Sequence, residues 1–373
     1  MPPLTQLYVY LTEGCNLACR HCWLAPKLDP DASRYPVLAV ELFDSAVRQA
    51  APLGLERVKL TGGEPLLHPA IKRLIGIVRD NGLALTIETN GMLMDRGVAE
   101  EIARCERRSV AVSLDGVDAV THDAIRGVSG AHEGAIAAIR HLVDTGTRPQ
   151  IIMSVMRSNA EQVEAMAELG ASLGVNSVKY NVVQPTERGR AVHDSNAGLT
   201  VEEYITLGRK VDSELVGKAR VELFFDYPQA FRPMSRIASG AGCTRCSIKS
   251  VLGLLANGRY ALCGIGEHVE ALVFGAVLED SLADVWREHP VLMSIRDGLP
   301  GRLGGVCSRC VMKESCLGSC VAQNFYRAQS LWAPFWFCEE AEARGLFPSS
   351  RSVVLEYNIP TRRKRDVQGD EAR

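Results

Sequence analysis

The chain has no apolar run approaching the roughly 18 residues that cross a bilayer, and no basic segment followed by an apolar stretch near its start. Those absences predict neither a spanning helix nor a secretory signal peptide. An excess of either charge is also missing: 42 Lys and Arg stand against 44 Asp and Glu, a net charge of −2. Nothing in that balance points to nucleic acid or an anionic membrane as partner. Cysteine is nearly absent from one long stretch, since only Cys105 lies between Cys22 and Cys243. The expected compartment is the cytoplasm, where thiols stay reduced and disulfides are rare. Twelve cysteines in such a compartment call for metal or redox chemistry.

Their placement divides the chain. Three cysteines lie near the start, Cys105 stands alone in a predicted helix as a buried hydrophobe, and eight fall between Cys243 and Cys338. A length of 373 residues favours two domains, and 46% hydrophobic against 23% charged residues suits a substantial core. The expected divisions are residues 1–220, a bridge over 221–240, a cysteine-rich domain over 241–345 and a polar, basic, partly disordered tail over 346–373.

The first part alternates short β-rich runs with amphipathic stretches. Strands are predicted at Leu7–Leu11, Arg57–Leu60, Ala84–Glu88, Ser109–Ser113, Gln150–Met156 and Ser177–Val183. Helices are predicted at Val40–Ala51, Pro69–Asn81, Gly134–Thr145, Asn159–Leu173 and near Thr200–Leu215. Six such units make an α/β fold with a parallel sheet, either a partial barrel or an open doubly wound sheet, and strand spacing alone leaves both open. A complete eight-unit barrel takes about 250 residues, more than this half provides. After Val221–Phe225 the sequence shows little regular periodicity and much Cys and Gly.

Cys15-x3-Cys19-x2-Cys22 opens the chemistry. Three thiolates can hold three irons of a four-iron, four-sulfur cluster and leave one iron free for a small molecule, which favours catalysis over electron storage. Zinc is the competing reading, but it wants four ligands in paired C-x2-C spacing, and no fourth Cys is near. Behind the second strand comes Thr61-Gly62-Gly63-Glu64-Pro65. At a strand's carboxyl end its glycines allow close backbone approach, and Glu64 offers a carboxylate to an ammonium group. Glu88-Thr89-Asn90-Gly91 and Ser113-Leu114-Asp115-Gly116 end the third and fourth strands, and Arg126 follows in His122–Gly127.

Together these segments closely resemble radical S-adenosylmethionine (radical SAM) enzymes. The resemblance implies a partial (β/α)6 TIM barrel, with a cluster on Cys15, Cys19 and Cys22 and SAM bound by Gly62, Gly63, Glu64, Asn90, Ser113 and Arg126. It implies reductive cleavage of SAM to a 5′-deoxyadenosyl radical. His21 takes the place of a frequent aromatic and is expected to pack against the cofactor.

Downstream, Cys246-x11-Gly258-x4-Cys263 and Cys307-x2-Cys310-x5-Cys316-x3-Cys320, followed by Cys338, resemble the SPASM domain of many such enzymes. That resemblance implies an irregular, iron–sulfur-stabilised C-terminal domain holding two auxiliary four-iron clusters. One would sit on Cys243, Cys246, Cys263 and Cys320, the other on Cys307, Cys310, Cys316 and Cys338. Paired C-x2-C spacing suits zinc as well.

The implied activity is maturation of a ribosomally made precursor peptide by a thioether or carbon–carbon crosslink, with the second electron leaving through the auxiliary clusters. The loop Thr12–Trp23 with Ala25-Pro26-Lys27 looks most like SynChlorMet-cassette maturases. A flavodoxin or ferredoxin reductant and a separate leader-recognition protein are expected partners, or leader binding on the barrel surface. Haem or cofactor biosynthesis shares the Arg20-His21-Cys22 pattern. Anaerobic sulfatase maturation is weakened by Gly264, where those enzymes carry Asp after the cysteine aligned with Cys263. A non-catalytic iron–sulfur electron carrier would leave the first three cysteines and Gly62-Gly63-Glu64 unexplained. No catalytic acid or base stands out; Glu267, His268, Asp226 and Tyr227 are the polar candidates.

Overall fold

The computed structural model describes residues 1–28, 34–240 and 246–353. Cys243 and most of the expected tail lie outside the described residues. The first unit begins with β1 (Gln6–Tyr10), α1 (Val40–Ala50), β2 (Arg57–Thr61), α2 (Ile71–Asp80), β3 (Ala84–Thr89) and α3 (Arg96–Ala103). It continues with β4 (Arg108–Ser113), α4 (Ala119–Arg126), α5 (Ala131–Asp144), β5 (Gln150–Val155), α6 (Val163–Leu173) and β6 (Ser177–Val182). The six expected strands are present, each within about two residues of its expected bounds. Cys105 follows α3 rather than lying in it, and is buried in the main core.

Val221–Phe225 becomes β7 (Glu222–Asp226), after α7 (Arg188–Asp194) and α8 (Val201–Lys210). Where the sequence shows little periodicity, the structure adds β8 (Val251–Leu254), β9 (Arg259–Ala261) and β10 (Val273–Ala276). Every residue of β8 is buried, so no alternation marks it, and strands of three or four residues are too short to show a period.

One sheet runs β10-β9-β8-β1-β2-β3-β4-β5-β6-β7. All pairings from β8 through β1 to β7 are parallel, while β9 pairs antiparallel with β8 and with β10. Among the described residues no ladder joins β7 back to β8, so this is an open, partial barrel. Alternation explains its layers. Val58 and Leu60, Val178 and Tyr180, and Ile151 and Met153 are buried against the helices. From α1, Phe43, Ala46, Val47 and Ala50 meet this face; from α2, Leu74, Ile75 and Val78 do. Each large apolar side chain buried there stabilises the fold by about 1.5–3 kcal/mol relative to exposure. The intervening residues, Lys59 and Thr61 or Lys179 and Asn181, face the other way and line the interior. Among the described residues no helix is long and apolar enough to cross a membrane.

Candidate functional site

The loop after β1 is held from three sides. The Cys15 N–H donates to the Lys27 carbonyl (3.0 Å), while Ala18 and Arg20 N–H donate to the Arg126 and Ile125 carbonyls (3.0 and 3.1 Å). Those acceptors are unpaired carbonyls at the carboxyl end of α4, a helix that Asp118 caps through the Thr121 N–H at 2.8 Å. From the third side, Gly63 and Glu64 N–H donate to the Thr12 and Gly14 carbonyls at 2.8 and 2.9 Å. Gly62 takes φ +132°, and a Cβ there would stand 2.8 Å from the Thr12 carbonyl. At Gly63 a Cβ would overlap the Gly14 carbonyl outright. The two glycines are thus required by the closeness of two backbone segments.

Cys15, Cys19, Cys22, Gly62, Gly63, Glu64, Asn90, Ser113 and Arg126 all line one recess of about 210 Å³ at the carboxyl ends of β1–β4. The three thiols are free of disulfides. Burial, with the Glu64 charge next, pushes the Cys15 thiol up to about 12, and burial raises Cys22 as well. Buried thiols of this kind give up their protons only where a cation replaces them, which suits a metal cluster. Leu17 N–H lies 3.4 Å from Cys15 Sγ.

Glu64 is 1% exposed. Its Oε1 accepts from Leu66 N–H (3.0 Å) and Thr89 Oγ1 (2.6 Å), and its Oε2 accepts from Asn90 N–H (2.8 Å). The carboxylate therefore ties the β2 turn to the end of β3. Burial still raises its pKa against these three donors, so a further positive charge would be welcome at Oε2. Asn90 closes the same corner, its Nδ2 donating to Asn16 Oδ1 at 2.8 Å.

Arg126 is held by a residue to which the sequence reading assigned no role. Its Nε lies 2.8 Å from Oδ2 of Asp115, whose side chain is fully buried, and its Nη1 lies 3.5 Å from Cys19 Sγ. Asp115 Oδ1 accepts from Ser154 N–H at 2.7 Å. Burial alone would raise Asp115; Arg126, with His21 and the Ser154 donor, outweighs it and holds the carboxyl low. Burial, aided by Arg126 and partly offset by Asp115, pushes His21 down to about 4, so its ring is neutral near pH 7. His21 lies 3.7 Å from Asp115 and lines the recess, in a packing place.

A second cavity of about 290 Å³ adjoins the recess and shares His21, Trp23, Thr61, Glu88, Ser154 and Asn181 with it. Its far wall carries Cys246, Cys263 and Cys320. Two ion pairs stand at it: Lys59 with Glu88 in its wall, and Asp226 of its wall with Lys179 of the adjoining recess at 3.0 Å. Cys307, Cys310, Cys316 and Cys338 surround a separate apolar void of about 20 Å³. Phe335 N–H approaches Cys307 Sγ (3.5 Å) and Met312 N–H approaches Cys310 Sγ (3.4 Å). Among the described residues no three His, Cys, Asp or Glu side chains gather as they would about a single ion. Both groups instead line voids.

Of the four polar candidates for an acid or base, only Asp226 lines the cavity. Tyr227 donates to Asp212 at 2.8 Å, and His268 Nε2 sits 2.7 Å from the Leu24 carbonyl. Glu267 faces Glu13 and Lys27. Sequence reasoning passed over Lys59, Lys179 and Asn181, although polar residues alternating with buried apolar ones in β2 and β6 marked them as facing the interior.

Residues 9–170 match the Radical SAM superfamily. The AdoMet-dependent heme synthase of Methanosarcina barkeri is 28% identical over 323 residues, covering 83% of this chain and 88% of that protein. The mycofactocin maturase MftC of Mycolicibacterium smegmatis is 27% identical over 336 residues, covering 88% of this chain and 81% of the relative. Streptococcus suis SuiB, in its crystal structure bound to S-adenosylmethionine, shares the fold at a TM-score of 0.70. The match is 20% identical and covers 91% of this chain and 77% of SuiB.

Proposed function

Residues 9–170 form a radical SAM domain, and from that premise we propose that the chain is a SPASM-type maturase that crosslinks a ribosomally made precursor peptide. The carrying observation is one cavity with Cys15, Cys19 and Cys22 at its inner recess and Cys246, Cys263 and Cys320 on its far wall. In this reading Cys15, Cys19 and Cys22 hold the SAM-binding cluster, and Gly62, Gly63, Glu64, Asn90, Ser113 and Arg126 hold SAM. Cys243, Cys246, Cys263 and Cys320 hold one auxiliary cluster; Cys307, Cys310, Cys316 and Cys338 hold the other. A reduced four-iron cluster with SAM bound supplies one-electron cleavage of SAM, the source of a hydrogen-abstracting radical. The chain's own part is to place one substrate hydrogen and to keep water out.

The proposed division into a barrel domain (1–220), a bridge (221–240), an auxiliary-cluster domain (241–345) and a tail (346–373) follows from this reading. So do a cytoplasmic location, a flavodoxin or ferredoxin reductant, and a separate leader-recognition protein. A porphyrin substrate is the second reading, favoured by the likeness to the heme synthase.

Reduced anaerobic protein with SAM is expected to release 5′-deoxyadenosine, and Cys22→Ala is expected not to. With the short peptide encoded beside its gene, mass spectrometry should find two hydrogens lost per crosslink. Equal behaviour of wild type and Cys22→Ala would end the enzymatic reading.

A further inference from the structure

Two residues that line the cavity between the cysteine groups carry buried acceptors with nothing to accept. Asn181 Oδ1, on β6, and Gln323 Oε1, on the helix Val321–Ala328, are buried without a hydrogen-bond partner. Both residues line the cavity, and Asn181 also lines the adjoining recess. His21 Nδ1 in the same wall is likewise without a partner, while Gln184 and the lysines are engaged. Gln184 accepts from the Trp336 indole (2.9 Å) and donates to the Val182 carbonyl (3.1 Å). Lys59 and Lys179 are paired with carboxylates. An unmade hydrogen bond at a buried oxygen is costly, and native proteins keep few of them.

A carboxamide carries an acceptor and a donor side by side, as a peptide bond does. Here two carboxamides from distant parts of the chain line one cavity, whose wall joins Tyr8, Tyr10, Trp23 and aliphatic side chains to the charged Lys59, Glu88 and Asp226 and to the three cysteines. The apolar part of that wall takes a side chain of almost any apolar or aromatic shape, and the two amides take what every peptide offers. Resting on the maturase reading above, we infer that Asn181 and Gln323 grip the main chain of the substrate, each accepting from a peptide N–H. Gln323 also sits three residues from Cys320, and Asn181 reaches the recess of Cys15, Cys19 and Cys22. A main chain held by both therefore hangs between the two cysteine groups.

The test uses the full chain under anaerobic conditions with the peptide encoded beside its gene. A series of that peptide replaces one amide at a time by an ester, which deletes a single N–H. Wild type should show a KM about tenfold higher at one or two ester positions, the effect of about 1.4 kcal/mol. Gln323→Met and Asn181→Leu should each raise KM for the all-amide peptide about tenfold. In each variant one ester penalty should disappear, while kcat changes little. Their melting temperatures should match or exceed wild type, because the deleted oxygens are unpaired in the free chain. Unchanged KM in both variants, or ester penalties that persist in them, would overturn the grip while leaving the maturase reading intact. A wild-type chain that leaves the peptide unmodified would overturn the reading, and the grip with it.

Discussion

Asp115 and Arg126 form a fully buried ion pair between the cysteine loop and the barrel interior. Removing one partner of such a pair strands the other charge without solvent, at a cost of about 3–5 kcal/mol. Asp115→Asn should lose stability of that order at pH 7, measured by anaerobic urea unfolding. Because the folded carboxyl is held below its ordinary value, its contribution is present above about pH 3.9 and is lost as pH falls through the folded value. The Asn variant should therefore lack that part of the acid dependence. Glu267 has the opposite sign. Burial, with Glu13 adding to it, raises its carboxyl from 4.5 to about 8, and its Oε1 is buried without a partner. Between those values the folded chain keeps a proton that the unfolded chain has released, so stability falls as pH rises through that window. Glu267→Gln should flatten the slope and raise the melting temperature at pH 8, with little change at pH 5. A variant as pH-sensitive as wild type would refute this.

At the scale of elements, the cysteine loop owes its shape to neighbours rather than to its own propensity. It is pinned by the carboxyl end of α4 and by the turn after β2. Gly63→Ala should prise that turn away, since its Cβ would overlap the Gly14 carbonyl. The expected result is a chain that folds, by far-UV circular dichroism, but loses most of its iron at the first site. Iron and sulfide analysis against Cys22→Ala checks this; normal loading would show that the loop yields more easily than its packing implies.

For the whole molecule, the consequence of one continuous sheet is mutual dependence of the two halves. The β1 strand pairs with β2 on one side and with β8 on the other. Ending the chain at residue 240 would strip β1 of that neighbour and leave a buried apolar strand as an open edge. Residues 1–240 alone should aggregate or melt at lower temperature than the full chain, by light scattering and calorimetry. A soluble, cooperatively melting fragment would mean that β8 merely leans on the barrel.

Local information determined much of this protein. The β/α alternation, the tight Cys15–Cys22 spacing and the Gly62-Gly63-Glu64 turn are legible because each is a matter of neighbours within a few residues. Their consequences, six parallel strands and a recess at the strand ends, need only that apolar faces be buried. Tertiary structure alone decided that Asp115 pairs with Arg126 and that Asn181 and Gln323 line one cavity; the placing of Cys320 with Cys246 and Cys263 in its wall was already implied by the resemblance. It also decided that β8, only four residues long and buried on both faces, extends the barrel sheet beside β1. Placements across about 140 residues, like that of Asn181 and Gln323 around one cavity, leave no periodic trace, because each residue satisfies its own segment equally well wherever the other stands.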